Sequence, residues 1–172
     1  LDDFVSVKDF GAKGDGLTDD TEAINRALYE IYCRTNAPAA RKILYFPAGR
    51  YIVSDGIRVP TNATIKGEGS HNTIIKQTAD YTYVSYVMTT ADSKQQVEAQ
   101  IGYNGAVLPR DITILDIGLE ASGDAFWLVN GSAVTLNRVA MTGQLSLPSS
   151  SGDELTGIDR KSTRLNSSHS QQ

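Results

Sequence analysis

Three carboxylates and one indole are the side chains in this sequence whose types and spacing suit work on a ligand. Asp116, Glu120 and Asp124 recur at four-residue intervals in ILDIGLEASGDAFW. Glycoside hydrolysis needs two carboxyl groups facing the scissile bond, about 5 Å apart for retention and further for inversion. These are the densest acids in the strand-like part of the chain, and so the candidate catalytic residues. Their competing role is that of solvated turn residues, since surface carboxylates are common. Asp116 in particular lies between Leu115 and Ile117 and is expected to point outward at a turn. Trp127 is the candidate sugar-binding residue, because an exposed indole offers a flat apolar face and an N–H donor. Its neighbours Ala125, Phe126, Leu128 and Val129 are all apolar, so alternation does not say whether it faces solvent or the core. His71, in a Gly-Ser-His-Asn turn, reads as a loop residue.

A second concentration of polar residues lies in VSVKDFGAKGDGLTDDTEAINRAL, Val5 to Leu28. Glycine-rich runs of this kind suggest phosphate loops, and aspartate-rich ones suggest calcium. A phosphate loop would place lysine and then Ser or Thr after its last glycine, whereas Leu17 and Thr18 follow Gly16. An EF-hand loop counted from Asp9 reaches Asp20 where a bidentate glutamate belongs. No metal site and no cofactor are therefore expected. The run reads instead as a structural cap motif made of Asp9, Gly11, Gly14, Asp15, Gly16, Thr18, Asp19 and Asp20. The glycines supply the backbone freedom of a tight turn, and Thr18, Asp19 and Asp20 offer oxygens to the unpaired amides of a helix start. The helix is expected over about 19–34, with Ala23, Ile24, Ala27, Leu28, Ile31 and Tyr32 on one face.

The elements that would hold these residues are short. A strand is expected from about Asp3, and after the helix come apolar runs at Ile43 to Phe46, Tyr51 to Val53, Ile57 to Val59, Thr64 to Lys66 and Thr73 to Lys76. Gly and Pro punctuate them, and they have strand lengths. Further on, ITILDIGL (Ile112 to Leu119) and VTLNRVAM (Val134 to Met141) repeat at an offset of 22 residues. Ile112 matches Val134, Ile114 matches Leu136, Ile117 matches Val139 and Leu119 matches Met141, while Asp116 takes the place of Arg138. A repeat of this length is one turn of a stacked architecture. SKQQVEAQIGYNGA reads as a polar excursion from one such turn.

The cap motif, together with ILYFPAGRYIVSDGIRVPTNATIKGEGSHNTIIK at Ile43 to Lys76, resembles the opening of the pectate-lyase-like superfamily. The two pieces span about the first half of the chain. The resemblance implies an all-β solenoid, a right-handed single-stranded parallel β-helix whose N-terminal end is covered by a capping α-helix. It also implies polysaccharide as the partner. The superfamily includes phage tailspikes and capsule depolymerases, which act on the virion tail as homotrimers, and extracellular polygalacturonases. The Gly-His-Gly and Arg-Ile-Lys motifs of polygalacturonases do not occur here. Three functions follow from the resemblance: a phage tailspike-like protein that binds and cleaves bacterial surface polysaccharide, a secreted pectin-type hydrolase or lyase, and a non-catalytic fibre or adhesin. The lone Cys33 and the lack of a visible signal peptide favour the first. Family active sites generally lie further along the solenoid, so the fragment is expected to be truncated before its chemistry.

Composition bounds the rest. A chain of 172 residues with a net charge of −4 fits one domain without the basic stripe that nucleic acid requires. No apolar run is long enough to cross a membrane. At the C-terminus, DRKSTRLNSSH (Asp159 to His169) is similar to the translation of a common sequencing-library adapter. Residues 1–158 are therefore expected to form the β-helix part and 159–172 an artefactual, disordered tail, in which Arg160, Lys161, Arg164 and His169 have no functional meaning.

Overall fold

A computed structural model describes residues 3–34, 42–78, 86–91, 109–127, 132–147, 154–155, 158–159 and 163–167. The apolar runs form strands too short to bury themselves, and each finds its partners in the preceding and following turns of chain. In order these are β1 (Phe4–Ser6), β2 (Asp15–Asp19), helix α1 (Thr21–Tyr32), β3 (Ile43–Tyr45), β4 (Gly49–Val53), β5 (Ile57–Val59), β6 (Thr64–Lys66), β7 (Thr73–Gln77) and β8 (Tyr86–Thr90). Then follow β9 (Arg110–Trp127), β10 (Ser132–Leu147), β11 (Glu154–Leu155), β12 (Ile158–Asp159) and β13 (Thr163–Ser167).

All pairings are parallel, and they sort into three faces. The first runs β1, β3, β6 and on through the early parts of β9 and β10 to β11. The second runs β2, β4, β7 and the middle of β9 and β10 to β12. The third, among the described residues, starts at β5 and continues through β8 and the ends of β9 and β10 to β13. The chain thus coils through the same three faces again and again, which is a parallel β-helix. β9 and β10 each pass through all three faces and turn their first corners in left-handed backbone, with Asp111 at φ 57° and Asp116 at φ 56° stacked under Ala133 at φ 57° and Arg138 at φ 54°. The 22-residue repeat is the register itself: Ile112 pairs with Val134, Ile114 with Leu136, Ile117 with Val139 and Leu119 with Met141.

Inward side chains stack into columns. Leu44, Ile65, Ile114 and Leu136 line the first face, and Tyr51, Ile75, Leu119 and Met141 the second, with Ile57, Met88 and Phe126 on the third; all of them are buried. Each such side chain contributes about 1.5–3 kcal/mol by leaving water. The N-terminal end of this column is covered by α1, which buries Ile24, Ala27, Leu28 and Ile31 against it. Tyr32 ties the last turn of the helix down. Its hydroxyl donates to the Lys42 carbonyl at 2.7 Å and accepts the Thr64 amide at 3.1 Å, and burial pushes its pKa up to about 12.

Several local expectations change. The first strand stops at Ser6, and Val7–Phe10 is a 3₁₀ turn closed by Gly11. The helix is two residues shorter at each end than expected, and residues 15–19, read as turn and cap, form β2 beside β4. The turn into β2 packs tightly: a Cβ on Gly49 would lie 2.6 Å from the Gly14 carbonyl oxygen, and one on Gly14 would lie 2.8 Å from the Tyr51 ring. Beyond these changes, Thr163–Ser167 pairs with Gly143–Leu147. The polar excursion over residues 94–107 lies outside the described residues.

Candidate functional site

The Gly- and Asp-rich run is filled by its own side chains. Asp15 accepts the Leu17 amide at 2.9 Å, the Thr18 amide at 2.8 Å and the Thr18 hydroxyl at 2.8 Å, which holds its pKa down at about 2. Asp20, buried, turns back and accepts the amides of Lys13 at 2.8 Å and Gly14 at 3.0 Å. Of the three residues expected to cap the helix, only Asp19 reaches it, accepting the Thr21 amide at 3.0 Å and the Thr21 hydroxyl at 2.6 Å. Thr18 is held by Asp15, and Asp20 occupies the cap position with its side chain turned to the glycine turn. Burial works against the charge of Asp19, but hydrogen bonds from Ser54 and Thr21 outweigh it and lower its pKa. A phosphate finds no vacant nest of amides at Lys13, Gly14, Leu17 or Thr18. Among the described residues no cluster of His, Cys, Asp and Glu has the geometry to hold a metal ion.

The three candidate carboxylates are carried by different parts of one coil. Asp116 occupies the left-handed corner between the first and second faces. There it is clamped by the coils on either side: Lys66 Nζ of β6 donates to its Oδ2 at 2.6 Å, and Arg138 of β10 donates to both of its oxygens, from Nη2 at 3.1 Å and from Nε. The Arg138 hydrogen bonds, reinforced by Lys66 and opposed by partial burial, hold the Asp116 pKa at about 2. A carboxyl group kept that acidic donates no proton near neutral pH, and two cations cover the lone pairs that a nucleophile or base would use. Glu120 stands on the second face, its backbone paired with Lys76 and Thr142. It accepts Arg50 Nη2 at 3.1 Å from across β7. Asp124 begins the third face, paired by its backbone with Tyr86 and Gln144. Trp127 follows on that face opposite Thr89 and Ser146, and its side chain lies outside the described part.

Sequence reasoning missed the partners. The Asp116–Arg138 contact is one repeat apart and was legible in principle from the 22-residue offset. Lys66 and Arg50 lie 50 and 70 residues from their acids, with the excursion between, and no local pattern announces them. An exposed pair also went unseen, in which the Tyr45 hydroxyl donates to Glu68 while the Ala48 amide reaches the same oxygen at 3.2 Å.

Parallel β-helices closed at the N-terminal end by a helix form one class of protein, and this chain has that architecture. It matches the model of the family described as rhamnogalacturonase A/epimerase, pectate lyase-like, over residues 4–158, and belongs to that family. Over 72 residues, 42% of the chain, it is 42% identical to the preneck appendage protein of Bacillus phage PZA. Over 67 residues, 39% of the chain, it is 46% identical to a probable glucan endo-1,3-beta-glucosidase of Arthroderma benhamiae. Each match spans only 7% of the relative's own length. Among solved structures it resembles ORF18 of Geobacillus virus E2 with a TM-score of 0.56 and 27% identity, over 84% of this chain and 25% of that one.

Proposed function

We propose that this chain is the capped N-terminal part of a phage virion-appendage protein whose β-helix binds, and in the full-length parent depolymerises, a bacterial surface polysaccharide. The observation that carries the reading is the 42% identity to a phage preneck appendage protein, with the likeness to a Geobacillus virus protein beside it. The engagement of Asp116 and Glu120 by cations supports a division of labour in which these first coils build the solenoid and the cutting residues are provided elsewhere in the parent. In this reading the parent is a homotrimer on the virion tail, and Trp127 contributes a sugar-stacking surface on the third face.

The family description and the 46% match to a glucosidase favour, as second reading, a cell-wall-degrading enzyme outside a virion. One experiment separates the two. The full-length parent is incubated with bacterial capsule preparations and, in parallel, with pectin and β-1,3-glucan, and new reducing ends and unsaturated products are measured. Cleavage of capsule alone supports the phage reading, and cleavage of pectin or glucan alone refutes it. Binding of capsule without any product reduces the proposal to recognition. Replacing Trp127 with Ala then tests the sugar contact, which predicts lost glycan binding at unchanged stability.

A further inference from the structure

Among the described residues the third face has no strand before β5, so the N-terminal edge of β5 ought to present unpaired backbone groups to any passing strand. Helix α1 meets that edge with side chains. Asn25, buried, accepts the Arg58 amide on its Oδ1 at 3.0 Å and donates from Nδ2 to the Gly56 carbonyl at 3.3 Å. That is the donor and acceptor pattern of a neighbouring strand, reproduced by one carboxamide. The Gly56 oxygen takes a second bond from Arg58 Nη1 at 2.7 Å. One turn earlier on the helix, Thr21 Oγ1 accepts the Ser54 amide at 2.8 Å and the Asp55 amide at 3.4 Å, just before β5 begins. On the second face the amides of Leu17 and Thr18 in β2 are likewise taken, by Asp15.

We propose that Asn25 is an edge-closing residue: its carboxamide stands in for the absent strand and keeps the N-terminal end of the solenoid from pairing, edge to edge, with a second copy of this chain. The partner it excludes is a strand, because the groups it covers are a main-chain N–H and C=O in strand geometry. Thr21 and Asp15 extend the same closure to the neighbouring stretches.

The test uses the full-length parent carrying Asn25→Ala, with Ala27→Gly as control. Ala27 is buried on the same helix but bonds to no strand edge, and Gly there loosens the helix without opening β5. Amide exchange at Arg58 and sedimentation across a concentration series are measured for both. Asn25→Ala is expected to lower protection of the Arg58 amide roughly tenfold to a hundredfold, and to give a species of twice the wild-type mass that grows with concentration. Ala27→Gly is expected to keep the wild-type mass. The proposal is overturned if Asn25→Ala leaves the mass unchanged at every concentration, or if Ala27→Gly associates to the same extent.

Discussion

Replacing Asp116 with Asn removes one charge and keeps a residue type that tolerates the left-handed corner at φ 56°. What is lost is the clamp from Lys66 through Asp116 to Arg138, which joins three successive coils. The fall in pKa from 3.8 to about 2 corresponds to roughly 2.5 kcal/mol of preference for the ionised, clamped state. Arg138 is 60% exposed, so solvent screening reduces the net effect to about 1 kcal/mol. The sign with pH follows from the direction of the shift. A carboxylate whose folded pKa is depressed stabilises the fold fully above its unfolded value near 3.8 and loses that contribution as pH falls through about 2. Urea unfolding of wild type and Asp116→Asn is therefore expected to differ by about 1 kcal/mol at pH 7, to converge between pH 4 and pH 2, and to coincide below. A gap that persists undiminished at the acid end, or no gap at neutral pH, would refute the clamp. Loss of polysaccharide cleavage by the full-length variant at unchanged stability would return Asp116 to the catalytic candidates.

Three further substitutions read other parts of the fold. Ala133 holds φ 57° in an exposed corner, so Ala133→Gly is expected to relieve strain and raise stability by roughly 0.5–1 kcal/mol, seen as a higher urea midpoint. Gly118 lies under the Gly67–Asn72 loop, where a Cβ would meet the Ser70 carbonyl oxygen at 2.4 Å. Gly118→Ala should cost about 1–3 kcal/mol and increase proteolytic cutting of that loop. Tyr51, whose hydroxyl donates to the Pro47 carbonyl at 2.7 Å while its ring is buried edge-on to Phe46, should lose about 1 kcal/mol on change to Phe, measured by thermal melting.

How much of this was legible depends on whether a feature is local. The strands Ile43–Tyr45, Thr64–Lys66 and Thr73–Gln77 fall where punctuated apolar runs were read, because a solenoid strand is a few residues with one inward face. The helix face of Ile24, Ala27, Leu28 and Ile31 is visible for the same reason. β2 was not visible: DGLTD buries little, Leu17 is 87% exposed, and a strand held by its backbone alone leaves no apolar period to detect. Asn25 reads in sequence as a polar interruption of an apolar stripe. Its bonds to Gly56 and Arg58 follow from the topology, which among the described residues puts no strand ahead of β5. Lys66 and Arg50 were invisible because successive coils differ in length, the coil from Ile65 to Ile114 spanning 49 residues. Leu44 pairs with Ile65 after 21 residues, whereas Ile57 pairs with Met88 after 31, and an uneven period cannot be read forward.

So distinctive an opening says little about chemistry, because its polar side chains serve the backbone. Asp15, Asp19, Asp20, Thr21 and Asn25 all direct side-chain oxygens at main-chain amides, and each does for the backbone what a missing strand or an uncapped helix turn would otherwise leave undone. A residue used in that way is demanded by the coil and is indifferent to the ligand. Asp116 extends the logic to the charged corners, where an acid that resembles a catalyst in sequence is matched by cations one coil above and one coil below. A cap built so constrains the fold tightly and the function hardly at all, consistent with one short chain matching both a phage appendage protein and a glucosidase at above 40% identity.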